Sequence, residues 1–126
     1  MARILVVEDD PDIAELIAFK LEREGHVVRA EADGRAGLAA ALAEPPDLVL
    51  LDWMMPRMSG LEVCQELRAD PRGERMPVIF LTAKAQEADV QRGFAMGADD
   101  FIPKPFSPRE LASRVGAVLA RSMVLG

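Results

Sequence analysis

The chain has 126 residues, 50% hydrophobic and 29% charged, which bounds it to one globular domain burying about two thirds of its unfolded surface. With 21 acidic against 15 basic residues its formal charge is −6, which argues against direct binding to a nucleic-acid backbone. Cys64 is the single cysteine, excluding an internal disulfide and a cysteine zinc site, and the absence of a membrane-length apolar run or a signal peptide predicts a soluble cytoplasmic protein.

Ile4, Leu5, Val6 and Val7 are four consecutive apolar residues, the pattern of a strand covered on both faces. A helix follows, with Asp10 as cap, Pro11 in its first position, an apolar stripe of Ile13, Leu16, Ile17 and Leu21, and Gly25 as its end. Residues 26–30 form a weaker second strand, residues 34–43 an Ala-rich helix closed by Pro45 and Pro46, and residues 47–52 the third strand. Ser59 and Glu62 make a capping box for a helix through Arg68, on which Cys64 reads as a buried small hydrophobe beside Leu61 and Leu67. Residues 78–81 are the fourth strand, residues 87–96 a helix ended by Gly97, and Phe101 and Ile102 a short fifth strand. Ser107, Pro108 and Glu110 open the last helix as cap, first-turn proline and box acid. Five alternations of strand and helix predict a parallel sheet with helices on both faces.

Ligand sites of such sheets form at the carboxyl ends of the strands. Glu8, Asp9 and Asp10 end the first apolar run, Asp52 the third and Thr82 the fourth, while Lys104 follows the fifth. Each pair of carboxylates at ~4 Å would repel by about 4 kcal/mol at an effective dielectric of ~20, so the cluster needs a cation. Mg²⁺ suits a site of few carboxylates because it keeps waters and accepts phosphate oxygens, and Lys104 supplies further positive charge. Asp52 is then a metal ligand, a nucleophile toward phosphorus, or both. Read singly, the acids are equally solvated loop residues and Thr82 a helix cap.

The runs Ile4-Leu5-Val6-Val7-Glu8-Asp9-Asp10, Asp47-Leu48-Val49-Leu50-Leu51-Asp52, Met55-Pro56 with Ser59-Gly60, Leu81-Thr82-Ala83, Gly97-Ala98-Asp99-Asp100-Phe101 and Lys104-Pro105-Phe106 stand in one order along the chain. In these runs it resembles the receiver domain of bacterial two-component response regulators, over nearly all of residues 1–126. The resemblance implies a flavodoxin-like, doubly wound α/β fold with a five-stranded parallel sheet in the order 2-1-3-4-5. It implies a phosphoacceptor signalling domain, not a metabolic enzyme, that takes a phosphoryl group from a sensor histidine kinase or phosphotransfer protein onto Asp52. Glu8 and Asp9 match the acidic pair that holds Mg²⁺, with the backbone carbonyl of Met54 and Asp52 itself. Lys104 matches the phosphate-pairing lysine, and the bond between Lys104 and Pro105 is cis in relatives. Thr82 and Phe101 match the switch pair, in which the hydroxyl moves toward the phosphoryl group and the aromatic ring turns inward; Phe101 lacks the phenol hydroxyl common there.

Trp53-Met54 and Ser107-Pro108-Arg109-Glu110-Leu111 make the chain similar to receivers that drive winged-helix transcription factors. Such receivers dimerise through the fourth helix, fifth strand and fifth helix. Asp100 with Arg114 and Asp99 with Arg121 are the matching ion pairs, Phe94 and Ala112 the apolar contacts. Val90 stands where relatives carry an arginine that pairs with the residue matched by Glu110, and Gln91 replaces an apolar contact.

Met54, two residues after Asp52, separates the chain from haloacid-dehalogenase-like phosphatases, which resemble Asp-x-Asp at this point. Neither Met54 nor Lys84 offers a group to orient water. The acids after the first strand oppose a flavin or dinucleotide phosphate. The remaining alternative is a phosphorylation-independent protein-binding module of the same fold. The chain is either a single-domain regulator or the receiver of a longer protein.

Overall fold

A computed structural model describes residues 1–83 and 87–125, so Lys84 lies outside the described residues. The elements run β1 (Arg3–Val7), α1 (Pro11–Arg23), β2 (Val27–Glu31), α2 (Gly34–Ala43), β3 (Leu48–Asp52), α3 (Gly60–Ala69), β4 (Val78–Thr82), α4 (Glu87–Ala95), β5 (Asp100–Pro103) and α5 (Pro108–Leu125). The five strands form one parallel sheet in the order β2-β1-β3-β4-β5. Every residue of β3 and β4 is buried, as their unbroken apolar runs require of strands covered on both faces. Strand boundaries differ from the sequence reading by at most one residue at either end, because ladder pairing and not side-chain type decides where a strand stops.

Alternate strand residues serve two cores. Leu5, Val7, Val49, Leu51, Val78 and Phe80 pack with Val63, Cys64 and Leu67 of α3 and Ala40 and Ala41 of α2. Ile4, Val6, Leu48, Leu50, Ile79 and Leu81 pack with Ile17 and Leu21 of α1 and Leu111, Val115 and Val118 of α5. Within the predicted stripe of α1, Leu16 is a correction: it is 45% exposed, because Ile17 and Leu21 already fill the narrow contact with the sheet. Asp10 caps α1 by accepting from the amides of Asp12 and Ile13. Gly25, at φ +92°, ends it, with its own amide bonded to Glu22 and that of His26 to Leu21. The capping box of Ser59 and Glu62 is present in both directions.

The connection from β3 to α3 holds one strained residue. Arg57 has φ +71°, and the amide of Met58 donates to the carbonyl of Pro56 at 2.8 Å, closing a γ-turn about it. A side chain at positive φ costs about 1–3 kcal/mol that glycine avoids, partly offset by the greater freedom of glycine in the unfolded chain. Arg57→Gly is therefore expected to stabilise the protein by about 0.5–1 kcal/mol, read as a higher urea midpoint at unchanged slope; an unchanged or lower midpoint would show that the turn carries no strain.

Candidate phosphoacceptor site

The register brings Val7 beside Leu51, Asp52 beside Leu81 and Thr82 beside Pro103, so the residues that end or follow these strands share one edge of the sheet. Glu8, Asp9 and Asp52 each offer a carboxylate oxygen, all within 4.8 Å of one another. Glu8 and Asp52 are buried, at 1% and 3% exposure, whereas Asp9 is exposed. Lys104 places its Nζ 2.6 Å from Glu8 Oε1 and 3.4 Å from Asp52 Oδ1. Its backbone is fixed by an amide bond to the carbonyl of Thr82 at 2.7 Å, and the peptide between Lys104 and Pro105 is cis.

Main-chain bonds hold the acids in place. The second oxygen of Glu8 accepts from the amide of Asp10, and Asp52 Oδ1 accepts from the amide of Met54. The amide of Gly60 donates to the carbonyl of Trp53, and a Cβ at position 60 would overlap the carbonyl oxygen of Asp52. Only glycine lets the start of α3 approach the end of β3 this closely.

Thr82 is buried at the same edge, 2% exposed. Phe101 is 7% exposed, so its ring already occupies an inward position. It lies 5.3 Å from Phe80, 6.0 Å from Trp53 and 5.1 Å from Phe94, centroid to centroid. Room for it comes from Gly93, where a Cβ would fall 2.3 Å from Phe101 Cζ. Sequence reasoning missed this seat, although a glycine inside a helix pattern was its visible sign.

The surface implied for dimerisation is partly engaged within the chain. Arg114 Nη1 pairs with Asp100 at 3.0 Å, and its Nε lies 3.5 Å from Glu110. Asp99 uses one carboxylate oxygen to accept from the amide of Val78, and its carbonyl accepts from Arg121 at 3.4 Å. Phe94 is 48% exposed and Ala112 half-buried.

Charge crowding sets the protonation of the cleft. Burial first, then the hydrogen bond and charge of Glu8, push Asp52 up to about 8 against the opposing charge of Lys104. Burial acts upward on Asp9 too, but hydrogen bonds with Asp52 and Glu8 and the Lys104 charge hold it below the usual carboxylate value. Burial acts downward on Lys104 and is outweighed by the Glu8 hydrogen bond and the two carboxylate charges, so its ammonium is held above its usual value.

The response regulator receiver domain model matches residues 4–116. This chain belongs to that family. The receiver domain is 45% identical over 122 residues to the DNA-binding dual master transcriptional regulator RpaA of Synechocystis, an alignment covering 97% of this chain and 51% of RpaA. It is 48% identical over 120 residues to the DNA-binding response regulator MtrA of Mycolicibacterium smegmatis, covering 95% of this chain and 51% of MtrA. The chain thus spans about half the length of the curated relatives it matches. Its fold superimposes with TM-score 0.86 on the receiver domain of a sensor histidine kinase from Pseudomonas aeruginosa, a structure with a magnesium ion in its active-site cleft. That pair is 32% identical and covers 94% of this chain and 98% of the other. The receiver domain is a signalling module rather than a metabolic enzyme. Among its described residues no helix is long and apolar enough to cross a membrane.

The raised Asp52 value makes stability depend on pH. Between its ordinary value of 3.8 and about 8 the folded receiver domain holds a proton that the unfolded chain has lost. That contribution is complete below the lower value and disappears as pH rises through the upper one. The stabilisation from Asp9, whose value is lowered, is lost only in acid; that from Lys104, whose value is raised, only in strong alkali. In chelator, the melting midpoint of the wild type is expected to fall further between about pH 5 and 8 than that of Asp52→Asn, with the variant the more stable at the upper end. Parallel profiles would show that the acids are already compensated.

Proposed function

We propose that Asp52 is the phosphoacceptor of a two-component signalling pathway, receiving its phosphoryl group from a histidine kinase or phosphotransfer protein. The observation that carries this reading is a buried carboxylate crowded by two acids, with one ammonium 3.4 Å from its oxygen. In the transfer an Asp52 carboxyl oxygen forms a bond to phosphorus while the bond from phosphorus to the donor's imidazole nitrogen breaks, and the proton that Asp52 carries passes to that leaving nitrogen. Lys104 neutralises charge on the transferred group, exchanging part of its contact with Glu8 for a phosphoryl oxygen. Thr82 offers its hydroxyl to another of those oxygens.

The donor set fits a hard divalent cation, because among the described residues three carboxylate oxygens within 4.8 Å share a single lysine. Glu8, Asp9, Asp52 and the carbonyl of Met54 would hold Mg²⁺, which when bound supplies positive charge to the acceptor carboxylate and the incoming phosphoryl oxygens. Asp9 is the exposed member and therefore the one open to an ion arriving from solvent. Before transfer Glu8 pairs with Lys104, which keeps the ammonium aimed at Asp52.

Phosphorylation adds about −1.5 to −2 charge at the edge of β3. Thr82 and Lys104 respond to it, and they border the face of α4, β5 and α5 through which an output domain, a partner or a second copy would be controlled. Homodimerisation there would require Arg114 to share or exchange its Asp100 partner, since both are paired within the chain. Near-complete conversion of the face needs about 5.5 kcal/mol of differential stabilisation, and a smaller coupling leaves a leaky switch. The buried ring of Phe101, packed against Phe80 and Trp53, favours a second reading, in which this face binds its partner independently of phosphorylation.

Incubation with Mg²⁺ and a small phosphoryl donor is expected to add one phosphate to the intact mass of the wild type and none to that of Asp52→Asn. No addition to folded wild type would leave the phosphorylation-independent module as the better account. Millimolar Mg²⁺ is also expected to raise the wild-type melting midpoint, since the folded cluster binds the ion and the unfolded chain does not. An unchanged midpoint would count against the metal site.

A further inference from the structure

At the end of the sheet away from Asp52, one side chain joins the connection that follows its own helix to the carboxyl end of α4, which is remote in sequence. Arg68, in the last turn of α3, donates from Nε to the carbonyl of Met96 at 3.1 Å and from Nη2 to that of Gly97 at 2.8 Å. Its Nη1 donates to the carbonyls of Gly73 and Met76, both at 2.8 Å. All four acceptors are main-chain carbonyls, two in the connection from α3 to β4 and two at the carboxyl end of α4.

The end of α4 is built to receive it. Gly97 has φ +92°, its amide bonds to Phe94 and that of Ala98 to Gly93, so the helix closes in a Schellman motif. That motif leaves the carbonyls of Met96 and Gly97 pointing outward, and the guanidinium satisfies them while placing a cation at the negative end of the helix dipole. A Cβ on residue 97 would fall 3.0 Å from Arg68 Nε, so the glycine also makes room for the arginine. Two residues further on, the amide and carboxylate of Asp99 bond to the carbonyl and amide of Val78, which ties the same turn to the start of β4.

We propose that Arg68 is a positioning residue for the signalling face: it pins the carboxyl end of α4, so that events at Asp52 swing the helix about that end instead of sliding it. The proposal rests on the phosphoacceptor reading of Asp52. A planar fork with donors on three nitrogens spans both segments, whereas a lysine ammonium, with all donors on one nitrogen, cannot.

Amide hydrogen exchange on the wild type, Arg68→Lys and Arg68→Met, each with and without phosphorylation, tests it. Without phosphorylation, Arg68→Met is expected to accelerate exchange at Met96, Gly97 and Ala98 by about tenfold or more, Arg68→Lys to rescue it only in part, and the amides of β1 and β3 to stay unchanged. On phosphorylation, wild-type Val90, Gln91 and Arg92 should change while residues 96–98 do not; in Arg68→Met the change should spread to residues 96–98. Unaltered exchange in the unphosphorylated variant, or a wild-type response at residues 96–98 as large as at 90–92, overturns the pinned end. An intact mass without phosphate on Asp52 instead overturns the phosphoacceptor reading and removes the signalling role of Arg68. The two failures are distinguishable because the clamp is read in unphosphorylated protein.

Discussion

The receiver domain turns on an imbalance of charge: among the described residues, two buried acids and an exposed one converge on a single ammonium. Lys104 sits closer to Glu8 than to Asp52, so one carboxylate is well compensated while the other is left partly so. Burial first, then the hydrogen bond and charge of Glu8, keep Asp52 protonated to an unusually high pH in the absence of a cation, and Lys104 opposes them only in part. The surrounding fold maintains the imbalance. Two strands buried on both faces hold the backbone of Asp52 rigidly, and the close approach of α3 at Gly60 removes the freedom by which the acids might spread apart.

The same constraint explains why the arrangement is responsive. A fully neutralised cluster would gain little from a cation, and a fully hydrated one would not distinguish an added phosphoryl group from bulk anions. The asymmetry of the cluster lies between these limits: Glu8 orients the lysine, and Asp52 is left the less compensated of the two buried acids. Structural stability is thus partly surrendered at the one edge where the acids crowd together, while the two apolar cores behind it carry the fold.

Much of this was legible in the sequence. The strands β3 and β4 announce themselves as apolar runs, and the acids, hydroxyl and lysine at their ends follow from the rule that parallel sheets bind ligands at carboxyl edges. What escaped depends on long-range geometry. Leu16 fits the helical stripe by spacing, yet the contact with the sheet is too narrow to cover it. Arg68 looks like a solvated end-of-helix cation, because its partners are carbonyls and carbonyls leave no trace in side-chain pattern. The inward ring of Phe101 depends on the absence of a side chain at Gly93, a vacancy meaningful only once α4 is packed.

One feature of the cleft makes the protein its own observer. Trp53 is the only tryptophan of a chain without tyrosine, and it follows Asp52 directly. Its indole meets Phe80 edge-on at 4.9 Å and faces Phe101 at 6.0 Å. Ultraviolet emission excited beyond the phenylalanine band therefore comes from a single fluorophore, joined covalently to Asp52 and packed against the ring that links it to α4. Any rearrangement along that line alters the colour or intensity of light from a known atom-scale location, with no label and no second emitter to subtract.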